Sequence, residues 1–220
     1  MRLSSITLGL LVAALAARDA AGQWNVARFG TERSRVYTTF GLDPALVSSV
    51  GYGRVLRVLG RDIQFTGDVG AVAAQMDAHD FRTKLSAQAS LVQWKSMHVA
   101  GSATFITRGT ENVIYRGFNF GADFTGTAGV YRQRWFAAGE FGFDKAIITH
   151  VTHTDLYRET YPGAKDGWYL DAGGTYHYGF MSGFALGKTE VVGRFGWLRT
   201  EYHNDLMSPL YGSVGLGFGF

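Results

Sequence analysis

The chain contains no cysteine in 220 residues, which excludes a disulfide framework and any thiolate metal centre. Its 3 prolines are too few for a proline-rich linker, and its length leaves room for one domain. Charged residues make up 18% and the formal net charge is +3, so neither a disordered polyelectrolyte tail nor a nucleic-acid-binding surface is indicated. No stretch beyond residue 22 offers 18 consecutive apolar residues, which removes the membrane-spanning helix. What is present in excess is glycine, 30 residues, together with 15% aromatics. That composition belongs to an all-β chain.

Residues 1–22 read as a secretory signal peptide: Arg2 supplies the positive start, Leu8 to Ala17 the apolar stretch, and Ala20 and Gly22 the small residues that flank cleavage. Ten apolar residues fall short of the ~20 that a spanning helix needs. Residues 23–220 then form a single domain carrying 19 basic and 17 acidic residues. The basic residues look dispersed along it.

From Phe118 to Val130 the sequence alternates with period two: Phe118, Phe120, Ala122, Phe124, Ala128 and Val130 share one face, and Asn119, Asp123, Thr125 and Thr127 the other. The pattern returns at 135–144, 168–178 and 188–197. Strands of ten or more residues exceed the usual five or six and match the ~9 to 11 that a tilted strand needs to cross a bilayer. Periodicity alone is equally satisfied by a soluble lipocalin-like barrel with its apolar face inside.

Residues 210–220, LYGSVGLGFGF, alternate Leu210, Val214, Leu216, Phe218 and Phe220 with small residues, and the sequence stops on Phe220. This end resembles the closing strand of small Gram-negative outer-membrane β-barrel proteins, in which a terminal aromatic is the signal for the barrel-assembly machinery. The resemblance covers the leader, the strand pattern and this terminus. It implies an all-β fold, a closed antiparallel up-and-down transmembrane β-barrel of about ten strands, with eight or twelve as alternatives. It also implies residence in the outer membrane among lipid and lipopolysaccharide.

Candidate strands lie at 33–40, 46–59, 62–74, 82–93, 98–107, 115–130, 135–146, 168–178, 184–199 and 210–220. Tight joins at 60–61, 94–97, 131–134 and 179–183 interleave with longer ones at 41–45, 75–81, 108–114, 147–167 and 200–209. Short periplasmic turns and longer outer loops are the rule for such barrels. Trp94 and Trp135 sit beside tight joins, whereas Trp168 and Trp197 sit near long loops, as two interfacial girdles would require.

With the polar faces inward, the bore receives Asp123, Glu140, Asp144, Asp171, Lys188, Glu190 and Arg194, along with Arg33, Arg35, Arg57, Asp62, Asp68, Arg82 and Lys84. The signs balance, and long side chains of both signs nearly fill a ten-stranded bore, so the interior is expected to be plugged by paired charges. His98 and His177 are expected to be structural, near periplasmic strand ends.

Chemistry-bearing residues cluster in the loops. His79 with Asp80, and His203 with Asp205, form opposed imidazole–carboxylate groups across the outer mouth, an arrangement similar in kind to the omptin proteases. His150, His153 and Asp155 have the residue types and spacing of a binding or metal site but no helix to align them. A lipid A deacylase would show a His-x-Ser-Asn motif, which Tyr202-His203-Asn204-Asp205 lacks. The expectation is therefore a non-enzymatic structural or surface-interaction protein. It needs no cofactor or metal, and it binds lipopolysaccharide or a surface protein partner through its outer loops. An outer-leaflet lipid A modifying enzyme or surface hydrolase, and a narrow solute channel, are the alternatives.

Overall fold

The computed structural model describes residues 23–42, 46–72, 80–170, 173–201 and 209–220. Within them run β1 (Ser34–Leu42), β2 (Leu46–Val58), β3 (Arg61–Val72), β4 (Phe81–Trp94), β5 (Met97–Glu111) and β6 (Tyr115–Tyr131), then β7 (Trp135–His153), β8 (Gly167–Leu170), β9 (Gly174–Leu186), β10 (Thr189–Thr200) and β11 (Leu210–Gly219). A short helix α1 (Asp155–Thr160) separates β7 from β8, and a 3-10 turn at Val26–Arg28 precedes β1. Neighbours in sequence pair antiparallel, and β1 pairs with β11 from Arg35↔Gly219 to Leu42↔Gly212, which closes the sheet. Both β8 and β9 pair with β7, at Ile148–Val151 and Trp135–Lys145 respectively. They are two stretches of one wall position, so the ring has ten strands, the expected number.

Several expected boundaries move. The join at 179–183 is strand: β9 runs on to Leu186, and the tight turn is Gly187-Lys188, where Gly187 has φ 60°. Glycines at 179 and 183 imitate a turn in sequence but serve the close approach of side chains in the bore. This turn places Lys188 on the surface, outside the interior set to which alternation assigned it. It also places His177 midway along its wall position, above the inner end. At the other end of the barrel, β7 continues to His153 and β5 to Glu111, so the loops shrink to 154–166 and 112–114. Asp171 lies outside the described residues.

The barrel is apolar outside and charged inside. Phe124, Phe141, Phe180 and Val50 are each more than half exposed, while Asn119, Glu190, Lys84 and Arg35 are buried. This inverts a water-soluble barrel and excludes the lipocalin-like alternative, because only a lipid surround makes such a wall favourable. Trp94 and Trp135 mark one margin of the apolar belt and Trp168 and Trp197 the other. Lipid-facing rings knit the second margin together: Phe120 packs against Phe105, Phe118 and Trp168 with centroids 5.9, 4.9 and 6.4 Å apart. At the first margin the turns are tight. Leu59 and Gly60 both take positive φ, 50° and 78°, the geometry of a two-residue hairpin turn whose twist matches the flanking strands. We call these margins the loop end and the turn end.

Phe124 sits midway along β6 on the lipid face. Replacing it by Arg should destabilise the barrel by ~2 to 4 kcal/mol in reversible unfolding from lipid vesicles. Phe124→Leu, which stays apolar, should cost far less.

Candidate functional site

The bore is built in tiers. At the turn end it is filled by the chain's own residues Gln23–Glu32, of which Trp24, Asn25, Val26, Arg28 and Phe29 are buried. Asn25 starts the 3-10 turn by accepting from the Ala27 amide, and its Nδ2 donates to the Arg132 carbonyl at 2.6 Å. Arg28 donates to the carbonyls of Gln133 (2.8 Å) and Gly187 (2.6 Å), so two tight turns hold the segment from below. Deeper in, the Trp24 amide donates to Gln88 at 3.0 Å and Gln23 donates to Ser102 at 2.7 Å. The Trp24 ring lies 5.2 Å from that of Tyr37 and 4.4 Å below the Arg35 guanidinium. Arg35 in turn pairs with Glu190 at 2.7 Å, and Glu190 accepts from the Asn25 amide at 3.3 Å.

Above this plug lie bridges between strands that are not neighbours. Arg194 on β10 makes a two-pronged contact with Glu140 on β7 (2.9 and 2.8 Å), and Tyr211 on β11 donates to the same carboxylate. His177 on β9 meets Asp123 on β6 at 3.0 Å, with Thr125 donating to Asp123 at 2.7 Å. Arg108 on β5 pairs with Asp144 on β7 and donates to Asn119 at 3.1 Å. Tyr37 on β1 donates to Asp68 on β3 at 2.9 Å.

Each bridge passes over the strand it skips, and at the crossing the skipped strand presents an inward glycine. A Cβ on Gly51 would meet the Tyr37 ring at 2.4 Å and Asp68 at 2.7 Å. One on Gly142 would meet His177 at 2.2 Å, and one on Gly121 would meet Arg108 at 3.0 Å. Gly196 and Gly179 clear the Tyr211 hydroxyl at 2.7 and 2.9 Å, and Gly217 clears Trp24 and Arg35 at 2.8 and 3.1 Å. Six of the 30 glycines are thus crossing points.

Of the expected interior residues, Arg35, Asp68, Asp123, Glu140, Asp144, Glu190 and Arg194 are buried in these bridges, and Arg82 and Lys84 are buried as well. Arg33 and Arg57 are exposed at the turn end. The sequence reading misses Arg108, because its β5 stops at 107, four residues short of Glu111, and it misses the plug. The available signal for the plug is Trp24, a large ring ahead of the first candidate strand with no strand to belong to.

The loop-end candidates separate. His150 and His153 are three residues apart on β7 and therefore point to opposite faces: the His150 ring packs edge-on against lipid-facing Trp168 at 4.9 Å, whereas His153 Nδ1 lies 3.0 Å from Asp166. Asp155 is exposed and sits 3.7 Å from Arg158. The three do not converge on one ligand. Asp80 accepts from the Glu111 amide at 3.0 Å, a structural role. His79, His203 and Asp205 lie outside the described residues. Asp166 accepts from the His153 amide at 2.9 Å and also faces Arg158. These hydrogen bonds, the amide foremost, hold its carboxyl below the ordinary carboxylate range. Because its folded pKa is depressed, its tethering of the 154–166 loop is complete above the ordinary value and fades as pH falls through the lowered one.

Two outcomes follow from this geometry. Arg194→Ala strands Glu140 and should cost ~3 to 5 kcal/mol, while the paired change Arg194→Met with Glu140→Leu should cost much less, both read by denaturant unfolding. Gly142→Ala should cost ~1 to 3 kcal/mol by pushing His177 off Asp123. Gly193→Ala, on the lipid face with nothing within 4 Å of its Cβ, should be near neutral.

No protein-family model and no curated protein sequence matches the chain. Among solved structures it is similar to Ail, the attachment invasion locus protein of Yersinia pestis, at 12% identity and a TM-score of 0.38 over 86% of this chain and 98% of that one. It is also similar to LpxR from Salmonella typhimurium, at 11% identity and a TM-score of 0.38 over 93% of this chain and 80% of that one.

Proposed function

We propose that the protein is an integral β-barrel of a Gram-negative outer membrane that conducts nothing and works at the cell surface, where its loop end contacts lipopolysaccharide or a surface protein partner. In this reading residues 1–22 are the export leader and Phe220 is the signal for the assembly machinery. The observation that carries it is the filled bore: among the described residues ion pairs bridge the middle of a wall that is apolar outside and the plug occupies its turn end, which favours a closed barrel over a channel. Function is thereby assigned to the exposed ends.

The loop end has the features of a contact surface. Thr154 caps α1 by accepting from the Tyr157 amide and donates to the Val113 carbonyl at 2.8 Å, which ties the helix to the β5–β6 turn. His153, Tyr157 and Tyr161 form a ladder of rings with centroids 4.9 Å apart at each step. Leu156 is 60% exposed and Tyr161 46% exposed on this raised segment. An aromatic and aliphatic patch held in place by capping and ion pairs is suited to recognition, since little ordering entropy is lost on binding.

The absence of native cysteine permits a direct test. A single cysteine at position 156 should react with a membrane-impermeant maleimide on intact cells, whereas one at position 188 should react only after the outer membrane is opened. Replacing residues 155–166 with a short Gly/Ser turn should leave the barrel folded and abolish binding of purified lipopolysaccharide or of cell-surface protein. Reaction at position 188 on intact cells, or recovery of the protein in a soluble fraction, would sink the proposal.

A further inference from the structure

The basic residues that look dispersed in sequence are gathered by the fold. Arg57 and Arg61 flank the β2–β3 turn, Lys95 lies in the β4–β5 turn, Arg132 and Arg134 in the β6–β7 turn, Lys188 in the β9–β10 turn, and Arg33 just before β1; all are exposed. Against them, among the described residues of the turn end, stand Asp62, 3.7 Å from Arg33, Glu32, which is enclosed between Arg28 and Arg35, and the Phe220 carboxyl. The loop end is different. There, among the described residues, Arg116 pairs with Glu111 at 2.8 Å, Lys145 with Glu201 at 2.9 Å and Arg158 with Asp166, and Asp155 and Glu159 are matched by Lys165 and Arg199. Among the described residues, the excess of exposed cations lies at the turn end.

We propose that this collar docks the anionic phospholipid head groups of the leaflet around the turn end. The proposal rests on the membrane reading above. The cations come from five separate connections spread around the circumference, so no small ligand reaches them all, whereas a lipid surface does. They are also level with the aromatic margin: Lys95 Nζ lies 5.3 Å from the ring centre of Trp94, and Arg132 Cζ lies 5.5 Å from that of Trp135. Trp94 is 69% exposed and so reaches the depth at which indole rings and phosphates meet. Cations near an anionic lipid surface attract it individually, and a ring of them holds the barrel at a fixed depth and sense. Arg61, Lys95 and Arg132 also border a cleft of about 880 Å³ beside Phe29, which makes a soluble polyanion the rival ligand.

The test uses residues 23–220 folded into phosphatidylcholine vesicles, with Trp168 and Trp197 changed to Phe so that the lipid-quenchable signal comes from Trp94 and Trp135 at the turn end, the buried Trp24 adding a constant background. Brominated phosphatidylglycerol is expected to quench at about fivefold lower mole fraction than brominated phosphatidylcholine, and the preference should weaken with salt. The variant carrying Lys95→Gln, Arg132→Gln and Arg134→Gln should lose most of the preference, and Arg132→Lys with Arg134→Lys should retain it. Equal quenching by both lipids, or an undiminished preference in the Gln variant, overturns the collar. Abolition of the preference by an equivalent of soluble polyglutamate overturns it in favour of an acidic macromolecular partner. Quenching by neither lipid would overturn the membrane reading itself and the collar with it.

Discussion

A charged group turned into the bore has left water, and it stays only if an opposite charge or a hydrogen-bond partner reaches it. In a closed ring the partner on an adjacent strand is often the wrong one, because facing residues share a register already fixed by the apolar outer face. Here the long side chains reach past the neighbour instead, and the neighbour makes room with a glycine. Arg108 reaches Asp144 over Gly121, His177 reaches Asp123 over Gly142, and Arg35 reaches Glu190 over Gly217. The glycines weaken their own strands, and the crossings they allow tie strands two and three places apart into one network.

That constraint also explains which parts of the structure could be read from sequence. The strand count, the faces of β6 and the two tryptophan margins follow from period two and from loop length, both local properties. Glycine is ambiguous at the same scale. A Gly-x-Gly pair marks a turn in one place and a crossing in another, and this ambiguity is why 179–183 reads as a turn and why Lys188 reads as interior. Which glycine does which depends on pairings that are not local, as at Gly142, which His177 crosses to reach Asp123, 54 residues away from it. The plug is hard to read for a related reason: nothing local to Gln23–Glu32 says that Gln88, Glu190 and two distant turns will enclose it. The opposed loop groups depend on His79, His203 and Asp205, while His150 and His153 are parted by the parity of the strand that carries them.

The two ends of the barrel then acquire different characters from one cause. Among the described residues the middle is crossed by ion pairs, and each end is an exposed surface. The turn end concentrates cations beside Trp94 and Trp135, while the described part of the loop end carries ion pairs, a capped helix and a ladder of rings. One end is suited to holding a lipid surface and the other to presenting a contact patch above it.

The claim on which all of this rests is that the bore is closed by its own residues, the ion-paired middle and the segment from Gln23 to Glu32. Planar-bilayer recording of the purified, folded protein tests it most directly. The account requires no steady conductance above the membrane background. Large, stable, ohmic openings from the wild-type protein would contradict it.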